Sequence, residues 1–284
     1  MSSETEVADV VPSVREGRFD CRMTADAAYL APAPHPDAAA LRCAFTLRYA
    51  GRSGRDLNLG LHWGERQDVR ANRRRLLQAL DMGLATLCTV RQVHRNTVCV
   101  VDDQALARGL AGIEADALVT ALLDVPLAVL TADCLPIVLY SAHPRAVAVV
   151  HAGRMGTYLR VVRETLTVMQ QRFAVVPSQV QAIIGPGIGG CCYRLDHRAI
   201  EPFRERFPDW ATYCLPREPG LWTMDLVRAN RAQLEAAGVL ASHTRSADMC
   251  TVCHCAHLFS HRAEGKAAGR GMGVAVLLRG AHGS

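Results

Sequence analysis

Lysine is almost absent from this chain of 284 residues: Lys266 is the only one, and arginine supplies the rest of the 32 basic residues. With the abundant alanine, this bias is typical of genome-wide codon usage and gives single arginines little weight as site markers. The arginines are interleaved with acidic residues and form no basic arm. The net charge of +5 therefore does not predict binding to nucleic acid.

A secretory signal and a membrane span are also missing. The first residues, MSSETEVADVVPSVREG, contain neither a basic start nor an apolar core. The longest apolar region, 125–140, is interrupted by Asp133 and Pro136. Hydrophobic residues make up 50% of the chain and charged residues 21%, which is an ordinary globular composition. We expect a cytoplasmic protein with no membrane or nucleic-acid partner; no feature assigns its oligomeric state.

The eleven cysteines are an odd number without a secretory signal, which disfavours a disulfide scaffold. Cys250 and Cys253 have the C-x₂-C spacing of a zinc knuckle, with Cys255 and His257 close behind. Structural zinc sites normally pair two such knuckles separated by a loop, and the second pair is missing here. We therefore expect packed thiols here, dispensable individually for chemistry.

The chain divides at a stretch rich in proline and alanine, residues 31–40. We expect residues 1–40 to be a loosely structured extension and residues 41–281 to be a single catalytic domain. Strands are predicted within ALVTALL, PLAVLTA, PIVLYS, AVAVVHA, VQAII and the run 273–278. Helices are predicted over 68–80, 159–173 and 225–238. Consecutive strands followed by single helices indicate mixed β-sheets covered by helices, rather than a strictly alternating parallel fold.

Three of the extended segments carry metal-type ligands at or near their ends. Residues 89–94 end on His94, residues 130–136 turn at Asp133 and Cys134, and residues 148–151 end on His151. Two imidazoles and one thiolate suit Zn²⁺, and three protein ligands leave a position open, as in catalytic sites. Each residue taken alone also fits a structural histidine or a core cysteine, so spacing alone leaves both interpretations open.

Two further features concern possible substrate contacts. Residues 185–190, GPGIGG, match G-x-G-x-x-G after a strand, but no helix follows convincingly. We interpret them as a loop at a pocket wall rather than a dinucleotide site. On the helix 68–80, Arg73 falls within the apolar stripe of Val69, Leu76 and Leu80. Its guanidinium either reaches water or points into a polar pocket.

In combination, these segments resemble the bacterial laccase-domain family, also called polyphenol-oxidase-type or multicopper-oxidase-like proteins. The family includes purine nucleoside phosphorylases with adenosine deaminase activity. Ten segments carry the resemblance in order: FTLRYAG (45–51), LNLGLHWG (57–64), NRRRL (72–76), RQVH (91–94), ADALVT (115–120), TADCLPIVL (131–139), VVHAG (149–153), GPGIGGCCYRL (185–195), CTVC (250–253) and FSHR (259–262).

The resemblance implies that His94, Cys134 and His151 bind a metal, normally zinc, with copper as the alternative. The candidate catalytic residues are Arg73, Arg48 and Asp133, and the candidate substrate-binding residues are Asn58, Asn72, Gly187, His261 and Arg262. One departure concerns the residues after His151. The family usually has His-Ala-Gly-Trp-Arg-Gly, whereas Arg154 and Met155 stand here before Gly156.

The fold that the resemblance implies is α+β, with mixed β-sheets sandwiched between helices. The implied function is zinc-dependent purine nucleoside metabolism, namely phosphorolysis of adenosine- and inosine-type nucleosides and deamination of adenosine, with nucleoside and phosphate as partners. Four alternatives stay open. They are a copper-dependent polyphenol oxidase, a metal-free hydrolase with Cys134 as nucleophile and His151 as base, a binding module with structural zinc, and a specialised pathway enzyme on the same fold. The absence of any H-x-H pair counts against a multicopper oxidase.

Overall fold

A five-stranded antiparallel sheet, sheet I, has the order β1-β2-β3-β14-β6. The computed structural model describes residues 16–34, 40–49, 56–61, 64–82, 87–110 and 112–279. The strands of sheet I are β1 (Phe19–Met23), β2 (Ala28–Pro32), β3 (Leu41–Thr46), β14 (Gly271–Leu277) and β6 (Leu127–Thr131).

A six-stranded mixed sheet, sheet II, has the order β13-β9-β7-β8-β5-β4. Only its two outer pairs, β13 with β9 and β4 with β5, are parallel. The strands are β13 (Thr244–Ser246), β9 (Gln181–Ile184), β7 (Leu135–Ala142), β8 (Arg145–Ala152), β5 (Ala117–Thr120) and β4 (Val98–Val100).

The remaining strands form a small sheet, and helices cover the outer faces. The small sheet has the order β10-β12-β11, with β10 (Arg194–Asp196), β12 (Leu221–Met224) and β11 (Cys214–Glu218). The helices are α1 (Arg66–Ala79), α2 (Asp103–Arg108), α3 (Arg154–Tyr158), α4 (Val161–Phe173), α5 (His197–Arg206), α6 (Leu226–Ala236) and α7 (His261–Glu264). Within the described ranges, no helix is long and apolar enough to cross a membrane.

The layers follow from which faces are apolar. Sheets I and II pack against each other through residues such as Phe45, Val129 and Val149. The outer face of sheet I buries Leu76 and Leu80 at α1, and the outer face of sheet II buries residues of α4, α5 and α6. The predicted α+β fold, with mixed sheets between helices, is therefore confirmed. Each sheet packs one apolar face against the other sheet and its opposite face against helices.

Within the predicted loosely structured extension, the described residues 16–34 are ordered in a hairpin. Strands β1 and β2 form a hairpin, and β2 pairs with β3 in sheet I. Phe19 and Leu30 are buried between the two sheets, at 1% and 0% exposure. Burial of these side chains attaches the hairpin to the core. Residues 1–15 and 35–39 lie outside the described residues, and the domain start at 41 stays a prediction.

The local predictions agree with the structure except at one segment. Asp225 caps α6 by accepting a hydrogen bond from the Arg228 N–H, as expected, and α1 begins two residues before the predicted start. Residues 89–94 do not form the extended strand that their sequence suggests. Cys88 and Arg91 make only isolated bridges, with Leu127 and Glu114, and the chain turns at His94, where φ is 58°. This turn brings His94 back towards sheet II.

Candidate metal centre

His151 lies next to the end of β8, where a buried carboxylate fixes its orientation. Its Nδ1 lies 2.8 Å from Oδ1 of Asp116, the residue that precedes β5. Asp116 is fully buried and His151 is 4% exposed. A carboxylate at Nδ1 requires the proton there, so Nε2 is left to act as a ligand.

The same carboxylate holds the segment that carries His94. The backbone N–H groups of Val93, His94 and Arg95 donate to the Asp116 oxygens at 3.2, 3.0 and 2.7 Å. Burial opposes ionisation of Asp116, but the hydrogen bonds from His151 and from this backbone lower its pKa. Asp116 therefore stays an acceptor and positions both histidines at once.

Cys134 completes the group at the start of β7, where Pro136 pairs with His151. Ligand atoms of His94, Cys134 and His151 all lie within 4.8 Å of one another. The two imidazole rings are 4.9 Å apart, with an interplanar angle of 77°. Gly153 makes room for the group, since a Cβ there would lie 2.6 Å from the Cys134 sulfur. Glycine is therefore required here because a side chain would collide with Cys134, not because the backbone conformation excludes other residues.

The electrostatics of the three side chains favour a thiolate. Although burial disfavours the charged form, His151 and His94 lower the pKa of Cys134 to about 6. Burial likewise disfavours a charged His151, but Cys134 and Asp116 raise its pKa to about 9. A thiolate and two imidazoles, one oriented by a carboxylate, form a donor set that fits zinc and leaves a fourth position for substrate or water.

We predict that Asp116→Asn lowers metal affinity about 10- to 100-fold, because an amide cannot serve as acceptor for His151 and three backbone N–H groups together. Competition with a chromogenic chelator measures the affinity, at a temperature where both proteins are folded. Asp196→Asn is the matched control, since Asp196 only caps α5 through the Ala199 N–H. Equal affinity of Asp116→Asn and the parent would contradict the assigned role.

Asp133, predicted to be catalytic, is committed to the loops around Cys134. Its Oδ1 accepts hydrogen bonds from Thr251 Oγ1 at 2.6 Å and Ser260 Oγ at 2.7 Å. Its Oδ2 accepts the Arg262 backbone N–H at 2.7 Å. A carboxylate with three donors has little capacity left to act as a general base. We propose that Asp133 is a positioning residue for the turn that carries Cys134.

Arg48, the second predicted catalytic residue, is likewise occupied. It forms a double hydrogen bond with Asp56 at 3.1 Å and an ion pair with Glu264 at 3.0 Å, and it donates to the Cys255 carbonyl at 2.7 Å. Its guanidinium also lies 4.7 Å from the centre of the Phe259 ring. Two carboxylates already neutralise this arginine, so we propose a structural role in place of the catalytic one.

Arg73 differs from Arg48 because no carboxylate faces it among the described residues. Its Nε donates to the Leu59 carbonyl at 2.9 Å, and burial lowers its pKa. The Leu59 N–H in turn donates to the carbonyl of Arg270, whose guanidinium interacts with the charges of Asp133 and Cys134. A partly buried guanidinium without a counter-charge favours an anionic ligand.

The two predicted asparagines hold the same segment. Asn72 Nδ2 donates to the carbonyls of Asn58 and Asp56 at 3.0 and 3.4 Å. Asn58 Oδ1 accepts the N–H groups of Gly60 and Arg270 at 3.1 and 2.9 Å. We propose that Asn58 and Asn72 position residues 56–60 for Arg73 instead of contacting substrate themselves.

Gly187 is buried in the glycine-rich loop, and its two backbone groups are already used. Its N–H donates to the Met249 carbonyl at 3.2 Å, and its carbonyl accepts the Thr251 N–H at 3.0 Å. A Cβ there would lie 2.4 Å from the Leu135 side chain. We therefore propose that Gly187 fixes the loop against residues 249–251, in place of the substrate contact expected from the sequence.

His261 and Arg262 are exposed at the start of α7. The Arg262 backbone contacts Asp133, the neighbour of Cys134 in the chain. The Arg262 guanidinium lies 5.2 Å from the centre of the Tyr193 ring. Burial and the neighbouring Cys134 raise the pKa of Tyr193, whereas Arg154 and Arg262 act to lower it. Tyr193, Arg154 and Asp116 were missed by the sequence analysis as site residues. The sequence offered one indication for two of these residues. Asp116 lies in the segment ADALVT and Tyr193 in the segment GPGIGGCCYRL, both of which carry the family resemblance.

Comparison with known proteins places this centre within a family. Residues 42–278 match the family model described as multi-copper polyphenol oxidoreductase laccase. The chain belongs to this family. The resemblance predicted from the ten sequence segments is thus confirmed.

Relatives within this laccase family are named as enzymes. The purine nucleoside phosphorylase YlmD of Geobacillus stearothermophilus is 38% identical over 225 residues, which cover 75% of this chain and 81% of YlmD. Adenosine deaminase RL5, from an unknown prokaryotic organism, is 36% identical over 69% of this chain and 78% of RL5. The crystal structure of YlmD from G. stearothermophilus superposes with a TM-score of 0.81 at 32% identity, covering 91% of this chain and 99% of that one.

Proposed function

We propose that the protein is a zinc-dependent purine nucleoside phosphorylase that also deaminates adenosine. The names of the relatives support the substrate class. The observation that carries the proposal is the centre of His94, Cys134 and His151. One buried carboxylate orients the His151 ring and holds the backbone of His94, and among the described residues three potential ligands converge there. Zinc in such a site supplies Lewis-acid polarisation and makes water more acidic.

The chain's own residues account for the need for phosphate. In phosphorolysis, a phosphate oxygen attacks the anomeric carbon of the ribose while the bond to the purine nitrogen breaks, and the purine takes up a proton. Arg73 supplies the uncompensated positive charge for the phosphate, and its planar fork matches two phosphate oxygens. Deamination needs water in place of phosphate and releases ammonia, so it does not depend on that charge.

A metal-free hydrolase is the second candidate, and one observation favours it. Without a metal, Cys134 and His151 form a thiolate and imidazolium pair, with pKa values of about 6 and about 9. Such a pair is also the starting state of a cysteine nucleophile. The orientation of His151 by Asp116 suits either chemistry equally. The zinc enzyme and the hydrolase are therefore distinguished by whether activity is lost when the metal is removed.

The copper oxidase suggested by the family's description has less support in this chain. Within the described residues, two groups of three or more potential ligands occur, His94 with Cys134 and His151, and a group of four cysteines. Neither supplies the many histidines of an oxygen-reducing copper cluster.

The test is product analysis combined with elemental analysis of the purified protein. Incubation with adenosine or inosine and phosphate is expected to give the free purine and ribose 1-phosphate, whereas adenosine without phosphate should give inosine and ammonia. Removal of zinc by a chelator should abolish both reactions, and added zinc should restore them. Activity that survives complete metal removal would favour the hydrolase, and copper content with oxygen uptake on phenols would favour the oxidase.

A further inference from the structure

A second group of metal-type ligands lies outside the His94–Cys134–His151 centre. The sulfur atoms of Cys191, Cys192, Cys250 and Cys253 all lie within 4.8 Å of one another. Cys191 and Cys192 come from the glycine-rich loop, and Cys250 and Cys253 come from the C-x₂-C segment. The C-x₂-C spacing alone predicts packed thiols, because the sequence near it contains no second cysteine pair. The loop supplies that pair.

The distances between the sulfur atoms match those around a single tetrahedral ion. The Cys253 sulfur lies 3.6 Å from that of Cys191 and 3.5 Å from that of Cys192. Four thiolates at about 2.3 Å from a zinc ion stand about 3.8 Å apart. A disulfide needs its two sulfur atoms at about 2.05 Å, and all four cysteines are free. The arrangement therefore has the spacing of ligands rather than of a bonded pair.

The backbone around Cys250 supports a thiolate. The Gly189 N–H donates to the Cys250 sulfur at 3.3 Å. Backbone N–H groups that face a ligating sulfur stabilise its negative charge, as other ligand-supporting hydrogen bonds do at metal sites.

The surroundings provide an entrance to the cluster. A cavity of about 440 Å³ is lined by Cys191 and Cys250 and by three arginines, Arg18, Arg228 and Arg231. Arg18 pairs with Asp248 and Glu16, at 2.8 and 2.6 Å, and Arg228 pairs with Asp225 at 3.5 Å. These three carboxylates balance the three arginines, so no net positive charge opposes the approach of a divalent cation to the sulfur atoms.

We propose that Cys191, Cys192, Cys250 and Cys253 bind one zinc ion in a closed structural site, distinct from the three-ligand centre. Four thiolates leave no open position, so the ion has no direct part in the reaction. It ties residues 189–192 to residues 250–253. Residues 189–192 directly precede Tyr193, and residues 250–253 contain Thr251, a donor to Asp133, which is the neighbour of Cys134 in the chain. Cys255 and His257 stand apart, since the Cys255 carbonyl binds Arg48 and His257 Nδ1 lies 2.8 Å from the Tyr49 hydroxyl.

The experiment counts zinc per chain by elemental analysis in a Cys134→Ser background, which removes the contribution of the first centre. We expect one zinc ion per chain there and none after a further Cys253→Ser or Cys191→Ser substitution. Both cysteines are exposed, so serine should be tolerated, and circular dichroism checks the fold. Cys255→Ser is the matched control and should keep the ion. Cobalt loading of the background protein should add thiolate charge-transfer absorption that Cys253→Ser abolishes.

Two outcomes would overturn the proposal. One is a folded Cys134→Ser protein without zinc that also fails to take up zinc or cobalt when its thiols are reduced. The other is a disulfide within the cluster, seen as two fewer reactive thiols than the eleven expected when the native protein is unfolded without reductant. Neither outcome depends on activity with nucleosides, so this experiment tests the second zinc site independently of the proposed function.

Discussion

His151→Ala should lower turnover with nucleosides by about a thousandfold or more and reduce the zinc content of the first centre. Loss of one of three ligands removes several kcal/mol of stabilisation, and each 1.36 kcal/mol corresponds to a factor of ten in rate. The fold should persist, because Asp116 keeps three backbone N–H donors after the imidazole is gone. Steady-state kinetics with inosine and phosphate, together with elemental analysis, measure both effects.

His197→Ala is the control for this substitution. His197 is exposed on α5, where it pairs with Glu201, so its loss should change neither zinc content nor turnover. Cys134→Ser should reproduce the His151→Ala result, since serine is a poor ligand for zinc. If His151→Ala lost its zinc yet retained full turnover, the metal-dependent mechanism would be wrong. If His151→Ala and Cys134→Ser were both inactive while the chelated parent protein stayed active, the hydrolase would be the better explanation.

Arg73→Ala should lower kcat/KM for phosphorolysis by about 10²- to 10³-fold, the usual effect of removing a group that stabilises an oxyanion. Deamination of adenosine should change much less, because water replaces phosphate in that reaction. Arg73→Lys keeps the charge but loses the planar fork, so we expect an intermediate loss, mainly as a higher KM for phosphate. The ratio of the two activities in each variant is the measurement.

Arg74→Ala is the matched control, because Arg74 is the exposed neighbour on the same helix. Its two activities should equal those of the parent. A structural Arg73 would give a different pattern: Arg73→Ala would lower the melting temperature sharply and reduce both activities together, while Arg73→Lys would leave the activity ratio unchanged. That pattern would leave the phosphate site unassigned.

Periodicity predicted the parts of the fold whose signals are local. The strands β5 to β8 and the helices α1, α4 and α6 follow from apolar spacing and from the Asp225 cap. The hairpin β1–β2 was missed, because pairing with β3 depends on the rest of sheet I and leaves no local signal. The proline- and alanine-rich stretch that follows also made residues 1–40 look separate.

In the site, too, residues with a local sequence signal could be predicted, whereas residues whose role depends on distant partners could not. His94, Cys134 and His151 were predicted as one ligand group because all three are metal-type residues near the ends of extended runs, and the structure brings them together. Asp116 could not be assigned, since one acidic residue before a strand has many uses until its partners are known. Cys191 and Cys192 looked like part of a pocket loop, because the chain places them about sixty residues before Cys250. Ligands from distant segments become recognisable only when the fold brings them together.

The β1–β2 hairpin also bears on where the protein can be cut. The family match begins at residue 42, yet β2 covers the open side of β3. A chain trimmed to the matched segment would leave β3 as an edge strand with unpaired backbone N–H and C=O groups. The apolar side chains of Cys43 and Phe45, which are buried in the full chain, would also become exposed. Such an edge pairs readily with other chains, so the trimmed protein would tend to aggregate. The hairpin thus protects the β3 edge of sheet I from pairing with other chains, although it lies outside the segment that matches the family model.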